Sequence, residues 1–202
     1  MDVRTFFDPY GPVQKHGSKL PHWQQEDSLL FVTFRLNDSL PDDRLREWKG
    51  EKRRWYERHP KPWTADVWTE YHDRFTMQVE RWLDAGAGSC LLKDPVNRRA
   101  VKETLMQSHG KAVHHHSWII MPNHVHLLFV PLRPLPELIK AWKRVSAQSI
   151  GAGSIWQAGY YDTLIRSETH YFRVVWYIRN NPASLMRDHY TLWECESVSR
   201  IP

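Results

Sequence analysis

A chain of 202 residues is long enough for one domain with a sizeable core, or for a compact core carrying an insertion. Its 28 Lys and Arg against 23 Asp and Glu, with a pI near 9.2, favour an anionic partner, nucleic acid ahead of a membrane surface. Cys90 and Cys195 are the only cysteines, which excludes a disulfide framework and a cysteine zinc site. No run approaches the roughly 18 apolar residues of a membrane span, and the start of the chain carries no signal pattern. A soluble, cytoplasmic protein with no membrane partner is expected.

In chain order, residues 1–27 are polar and contain Pro9, Pro12 and Pro21, which predicts an extended N-terminal arm. Residues 28–38, "SLLFVTFRLND", form a β-rich apolar run ending in turn residues, a first strand. Residues 42–58 and 65–85 carry helical spacing of Trp, Leu and Tyr among charges, separated by "HPKPW". After a glycine-rich turn at 86–88, residues 94–108 read as another helix, with Pro95 in its first turn. Strands at 111–120 and 124–130 form a hairpin around "MPN". A helix opens at Pro136 and runs to about 150, and "YYDTLIR" at 160–166 is a fourth strand. Ser167 is an N-cap for a helix that starts at Glu168 and should end near Asn181, because the residue before Pro182 is pushed from helical geometry. The tail, 183–202, shows little periodicity.

This order predicts an α+β sandwich of ferredoxin-like kind: a mostly antiparallel four-stranded sheet, helices crossing on one side, and a helical elaboration at about 42–109. The whole of 1–202 is expected to be one domain, with its core at 28–182.

The stretch "PNHVHLLFV" places His124 and His126 on one face of an apolar strand. Burying two imidazoles costs free energy unless a metal ion, a carboxylate or a phosphate meets them. In "SETHYFRVVWYIRNNP", Tyr171, Val174, Val175 and Ile178 form an apolar stripe, and Arg173, Tyr177 and Asn181 fall away from it. Tyr177 and Asn181 lie four apart and can address a common point. Tyr177 at a helix edge and Asn181 as a helix stop account for the same residues without chemistry. In "HHH", His114 and His116 share a face opposite His115, and no catalytic role is assigned to them.

Lys140, Lys143 and Arg144 share one helical face suited to phosphate contacts, and a solvated basic face accounts for them equally. In residues 49–63, Lys52, Arg53 and Arg54 interleave with Trp55, Tyr56 and Trp63, compatible with gripping a hairpin backbone and stacking a base.

Taken together, "PNHVH" after a hairpin turn, then "IWQAGYYDTLIR", then "WYIRNNP" resemble the REP-associated tyrosine transposases among the single-tyrosine HUH transposases. The resemblance runs from about residue 29 to 182. It implies that His124 and His126 bind a divalent metal, Mg²⁺ or Mn²⁺, with Asn181 as third ligand, and that Tyr177 is the nucleophile. It further implies a substrate of single-stranded DNA folded into a palindromic hairpin, nicked and joined through a 5′-phosphotyrosine by a monomer or homodimer. Lys140, Lys143, Arg144, Arg53, Arg54, Trp55 and Arg173 are the expected DNA contacts. Other readings are a repeat-DNA-binding protein without catalysis, a rolling-circle replication initiator, and a metal-dependent hydrolase. Relaxases place the tyrosine before the histidine pair, whereas here it follows, and no general-base carboxylate accompanies the histidines.

Overall fold

The structure, a computed structural model, describes residues 5–16, 22–183 and 185–201. They divide into two compact units, one of residues 38–90 and the other of the chain on either side of them.

The larger unit is built on a five-stranded antiparallel sheet of β3 (Leu30–Arg35), β4 (Val113–Ile120), β5 (His124–Pro131), β6 (Tyr161–Leu164) and β7 (Thr191–Glu194), in the order β6-β3-β5-β4-β7. The α+β class and the antiparallel sheet are as expected; the fifth strand is not. β7 comes from the tail, where four residues with mixed burial leave no alternation to read.

Both faces of the sheet are covered. Leu30, Val32 and Phe34 of β3 and Val125, Leu127 and Phe129 of β5 point one way, into a core shared with Val101 and Leu105 of α4 (Pro95–Ser108) and Ile139 and Trp142 of α5 (Leu135–Ile150). The alternate positions, Phe31, Leu128 and Val130, meet Tyr171, Val174, Val175 and Ile178 of α6 (Glu168–Asn180). The helices therefore do not lie on one side. β4 and β5 are buried nearly throughout, which is why residues 118–120 and 127–130 run apolar without alternation.

The N-terminal arm is also packed, against expectation. Within it β1 (Gln14–His16) pairs with β2 (His22–Gln24), and the Gln24 side chain joins the Arg133 carbonyl to the Leu135 N–H. The Phe7 N–H donates to the Ile165 carbonyl. Polar residues without periodicity can still satisfy the backbone of a neighbouring element. Residues 1–4 and 17–21 of the expected arm lie outside the described residues.

The smaller unit contains α1 (Asp42–Arg58), α2 (Ala65–Tyr71) and α3 (Met77–Asp84), with a π-helical turn at His72–Thr76 joining α2 to α3. Trp55 is its fully buried centre, with Trp63, Tyr71 and Phe75 around the ring and its indole N–H donating to Glu70. This unit spans residues 38–90, and α4 packs against the sheet.

Candidate active site

Strand alternation puts His124 and His126 on the α6 side of β5. Both are fully buried, and their ring centroids are 4.5 Å apart. Each has one nitrogen held by a neighbour. His124 Nδ1 lies 2.7 Å from Asn123 Oδ1, an acceptor, so that nitrogen carries the proton and Nε2 keeps its lone pair. This Nε2 is buried and makes no hydrogen bond of normal geometry; the Asn181 amide interacts with the ring from α6. His126 Nδ1 lies 2.8 Å from Thr33 Oγ1 on β3.

The other nitrogen of His126, Nε2, lies 3.3 Å from the Tyr177 hydroxyl. With the phenol donating to Nε2, the ring proton sits on Nδ1 and Thr33 accepts it. Phe31 stacks on His126 and meets Tyr177 edge-on, fixing both rings from below. Tyr177 itself is partly exposed. The turn from Tyr177 to Asn181 is closed by the Asn181 N–H on the Tyr177 carbonyl at 2.9 Å. Asn181 keeps helical dihedrals, φ −53° and ψ −40°, although it precedes Pro182. The helix ends at Asn180, beside the expected Asn181, although Pro182 does not push Asn181 out of helical geometry, and the two side chains stay on one helical face.

Burial governs the electrostatics. Desolvation pushes the His124 pKa down to about 3, against a smaller opposing effect of Asn181. Desolvation and then the neighbouring His124 hold His126 well below the usual histidine range. Both rings are neutral at pH 7, the form that donates a lone pair to a cation. Among the described residues no group of three His, Cys, Asp or Glu could hold a metal ion. The donors present are two imidazoles with an amide beside them. They fit a divalent ion in one respect that stands on this structure: the buried Nε2 of His124 makes no hydrogen bond of normal geometry and has the Asn181 amide beside its ring.

The remaining expected site residues are dispersed. Arg173 is exposed on α6, one turn before Tyr177; Lys140 and Arg144 are exposed on α5. Lys143 has another role, since its ammonium donates to the carbonyls of Gln157, at 2.8 Å, and Gly159. Burial, followed by the charge of Arg35, brings its pKa down to about 8. It ties a loop to α5 and is not a ready phosphate contact. Arg53 and Arg54 are exposed on α1, but Trp55, expected to stack on a base, is the core of its unit. Period 3.6 alone assigns an aromatic to a helix face without saying which face is covered.

Three residues were missed. Thr33 is the lone hydroxyl in an apolar strand, and Asn123 adjoins the histidines; both signals were in the sequence. Arg35 is the register partner of His124, which places its Cβ beside that of the histidine. Only strand pairing could reveal this. Tyr161 pairs with Thr33, in the cross-sheet row of His126, and is 39% exposed, making it the rival tyrosine. Tyr171 is buried, its hydroxyl 3.2 Å from His116 Nδ1.

Neither a family model nor a curated protein matches the sequence. The chain is similar to a solved REP-associated tyrosine transposase bound to a REP hairpin, with 15% identity, over 83% of this chain and 74% of that one, at a TM-score of 0.46.

Proposed function

We propose that the protein cuts one strand of hairpin DNA by attack of Tyr177 on a phosphodiester, and that the covalent product can be rejoined. The observation that carries this reading is the Tyr177 hydroxyl at 3.3 Å from His126 Nε2, on a helix face shared with Asn181. The ordered motifs that resemble the single-tyrosine transposases support it.

A free phenol, with a pKa of about 10, is a weak nucleophile at neutral pH. Here the neutral His126 accepts its hydrogen bond at Nε2; the same lone pair would go to a bound ion, leaving the hydroxyl to turn to a phosphate. As Tyr177 Oη bonds to phosphorus, its proton passes to a base and the P–O3′ bond breaks. The leaving oxygen takes that electron pair and a proton to become a 3′-hydroxyl. The 5′-phosphotyrosine keeps the ester bond, so attack by a 3′-hydroxyl reverses the step without ATP. His124, His126 and Asn181 would hold a Mg²⁺ or Mn²⁺ ion, which when bound supplies a Lewis acid for the phosphate. Mn²⁺ suits nitrogen donors better. Thr33 and Asn123 fix the two imidazole tautomers, and the exposed Arg173, Lys140, Arg144, Arg53 and Arg54 contribute phosphate contacts.

The decisive experiment incubates end-labelled hairpin oligonucleotides, with single-stranded flanks, with protein and Mn²⁺ or Mg²⁺, traps the adduct and maps it by peptide mass spectrometry. The expected adduct is on Tyr177, absent from Tyr177→Phe and present in Tyr161→Phe. An adduct on Tyr161 would overturn the nucleophile assignment. Undiminished cleavage in EDTA would remove the metal, and cleavage with no adduct would replace Tyr177 by a water nucleophile.

A further inference from the structure

Arg35 takes no part in the chemistry described so far, although it shares a row of the sheet with His124. Strand alternation puts Phe31, Thr33 and Arg35 of β3 on one face. That face is the one toward α6, since Phe31 stacks on His126 and Thr33 Oγ1 meets its Nδ1. In register Thr33 lies opposite His126 and Arg35 opposite His124, so the Arg35 Cβ stands roughly 5 Å from that of the histidine. The backbone is held on both sides here. The Gln157 N–H donates to the Arg35 carbonyl at 3.0 Å, and the Leu36 N–H donates to the Asn123 carbonyl at 2.8 Å. The Arg35 side chain is partly buried, and one guanidinium N–H donates to the Leu36 carbonyl at 3.3 Å. Burial disfavours its charged form, yet a guanidinium keeps its proton in a protein. A positive charge partly out of water thus stands beside two neutral imidazoles.

We infer that Arg35 holds the non-bridging oxygens of the phosphate that Tyr177 attacks and offsets the charge that develops there. The inference rests on the proposed nuclease reading and deepens it. The phosphodiester enters with one negative charge. A second develops as Tyr177 Oη bonds to phosphorus and gives its proton to a base, before the P–O3′ bond breaks. Two imidazoles, an amide and a phenol orient lone pairs and bring no charge of their own. The neighbouring row of the sheet, Tyr161, Thr33, His126 and Ile119, is equally neutral at pH 7. Arg35 is the cation that strand pairing places beside this group. Its planar fork carries five N–H donors, so one can stay on the Leu36 carbonyl while a pair meets two phosphate oxygens. A charge fixed in advance where water is partly excluded acts on a developing anion without reorganisation. The exposed Arg173 differs, because a solvated contact positions a strand without addressing its reacting atom.

The test uses labelled hairpins with single-stranded flanks in which each flank linkage in turn is made a methylphosphonate, so that a methyl group replaces one oxygen and the linkage is neutral. Binding is measured in EDTA by fluorescence anisotropy on the full chain carrying Tyr177→Phe, so neither metal nor cleavage contributes. One linkage should show an affinity loss of about tenfold, the scale of one charge-assisted hydrogen bond. Adding Arg35→Ala should remove that loss and leave the response of the other linkages unchanged. Arg35→Gln keeps a donor for the Leu36 carbonyl, loses the charge, and should do the same; a site merely distorted by substitution would weaken binding at every linkage alike. With Tyr177 restored and Mn²⁺ present, the same linkage should be the one cut. Arg35→Ala should slow adduct formation at saturating DNA by about 10²–10³-fold, and Arg35→Lys should recover part of the rate, since charge returns without the fork. A series in which no linkage depends on Arg35, or in which the dependent linkage is not the one cut, would overturn the inference. The two readings fail separately. A Tyr177 adduct with no Arg35-dependent linkage sinks the role of Arg35 alone, whereas an Arg35-dependent linkage with no adduct on any tyrosine sinks the nuclease and leaves Arg35 as a phosphate anchor.

Discussion

At the scale of single residues, the site depends on which nitrogen of each imidazole holds the proton. For His126 the Thr33 hydroxyl, which can donate or accept, meets Nδ1 at 2.8 Å. Thr33→Val keeps the shape and removes that partner, so the ring loses its anchor. Loss of such an outer partner typically lowers metal affinity about 10–100-fold; titration calorimetry with Mn²⁺ should read that loss, and Thr33→Ser should restore most of it. Buried neutral histidines also make stability depend on pH. His115 donates from Nε2 to the Leu105 carbonyl, and burial brings its pKa down to about 3. Between about 3 and the ordinary 6.5 the unfolded chain binds a proton that the folded chain refuses. Stability is therefore full above pH 6.5 and falls as pH drops towards 3, by about 1.4 kcal/mol per pH unit for each such histidine. Urea unfolding from pH 7 to pH 4 should show this fall, with a slope exceeding one proton because His124 and His126 behave likewise. A flat profile would contradict the burial of these rings.

At the scale of elements, α6 does two things at once: one stripe seals a face of the sheet and an adjoining one presents Tyr177 and Asn181. Its N-terminus is capped by Ser167 Oγ, which accepts the His170 N–H at 3.1 Å. Ser167→Ala should cost about 1 kcal/mol, readable as a lower thermal midpoint, with the Tyr177 adduct still formed because the packed stripe keeps the helix in place. The face shared by Tyr177 and Asn181 was legible in the sequence, since a spacing of four fixes it. The side of the sheet that α6 covers was not. The periodicity of one element says that it has a buried face and leaves its partner unnamed.

At the scale of the molecule, the chain builds two compact units, each with its own interior. The helical unit carries ten Lys and Arg against eleven Asp and Glu, so the positive excess belongs to the unit that holds the histidines. Trp55 is the centre of the helical unit, and Trp55→Ala should cost about 3–5 kcal/mol there. Hydrogen exchange should show protection falling in residues 42–84 while β4 and β5 stay protected; uniform loss throughout the chain would show that the two units unfold together.

Local sequence determined the positions of α1, α4, α5 and α6, the strands flanking the "MPN" turn, and the sharing of one strand face by His124 and His126. Each of these follows from periodicity, a cap or a breaker within a few residues. Tertiary structure decided that Thr33 holds His126, that Arg35 stands beside His124, that Lys143 is spent on loop carbonyls, that Trp55 is interior, and that a strand from the tail completes the sheet. Each of those depends on contacts between residues far apart in the chain, and pairing register and packing partner are properties that no local window of sequence contains.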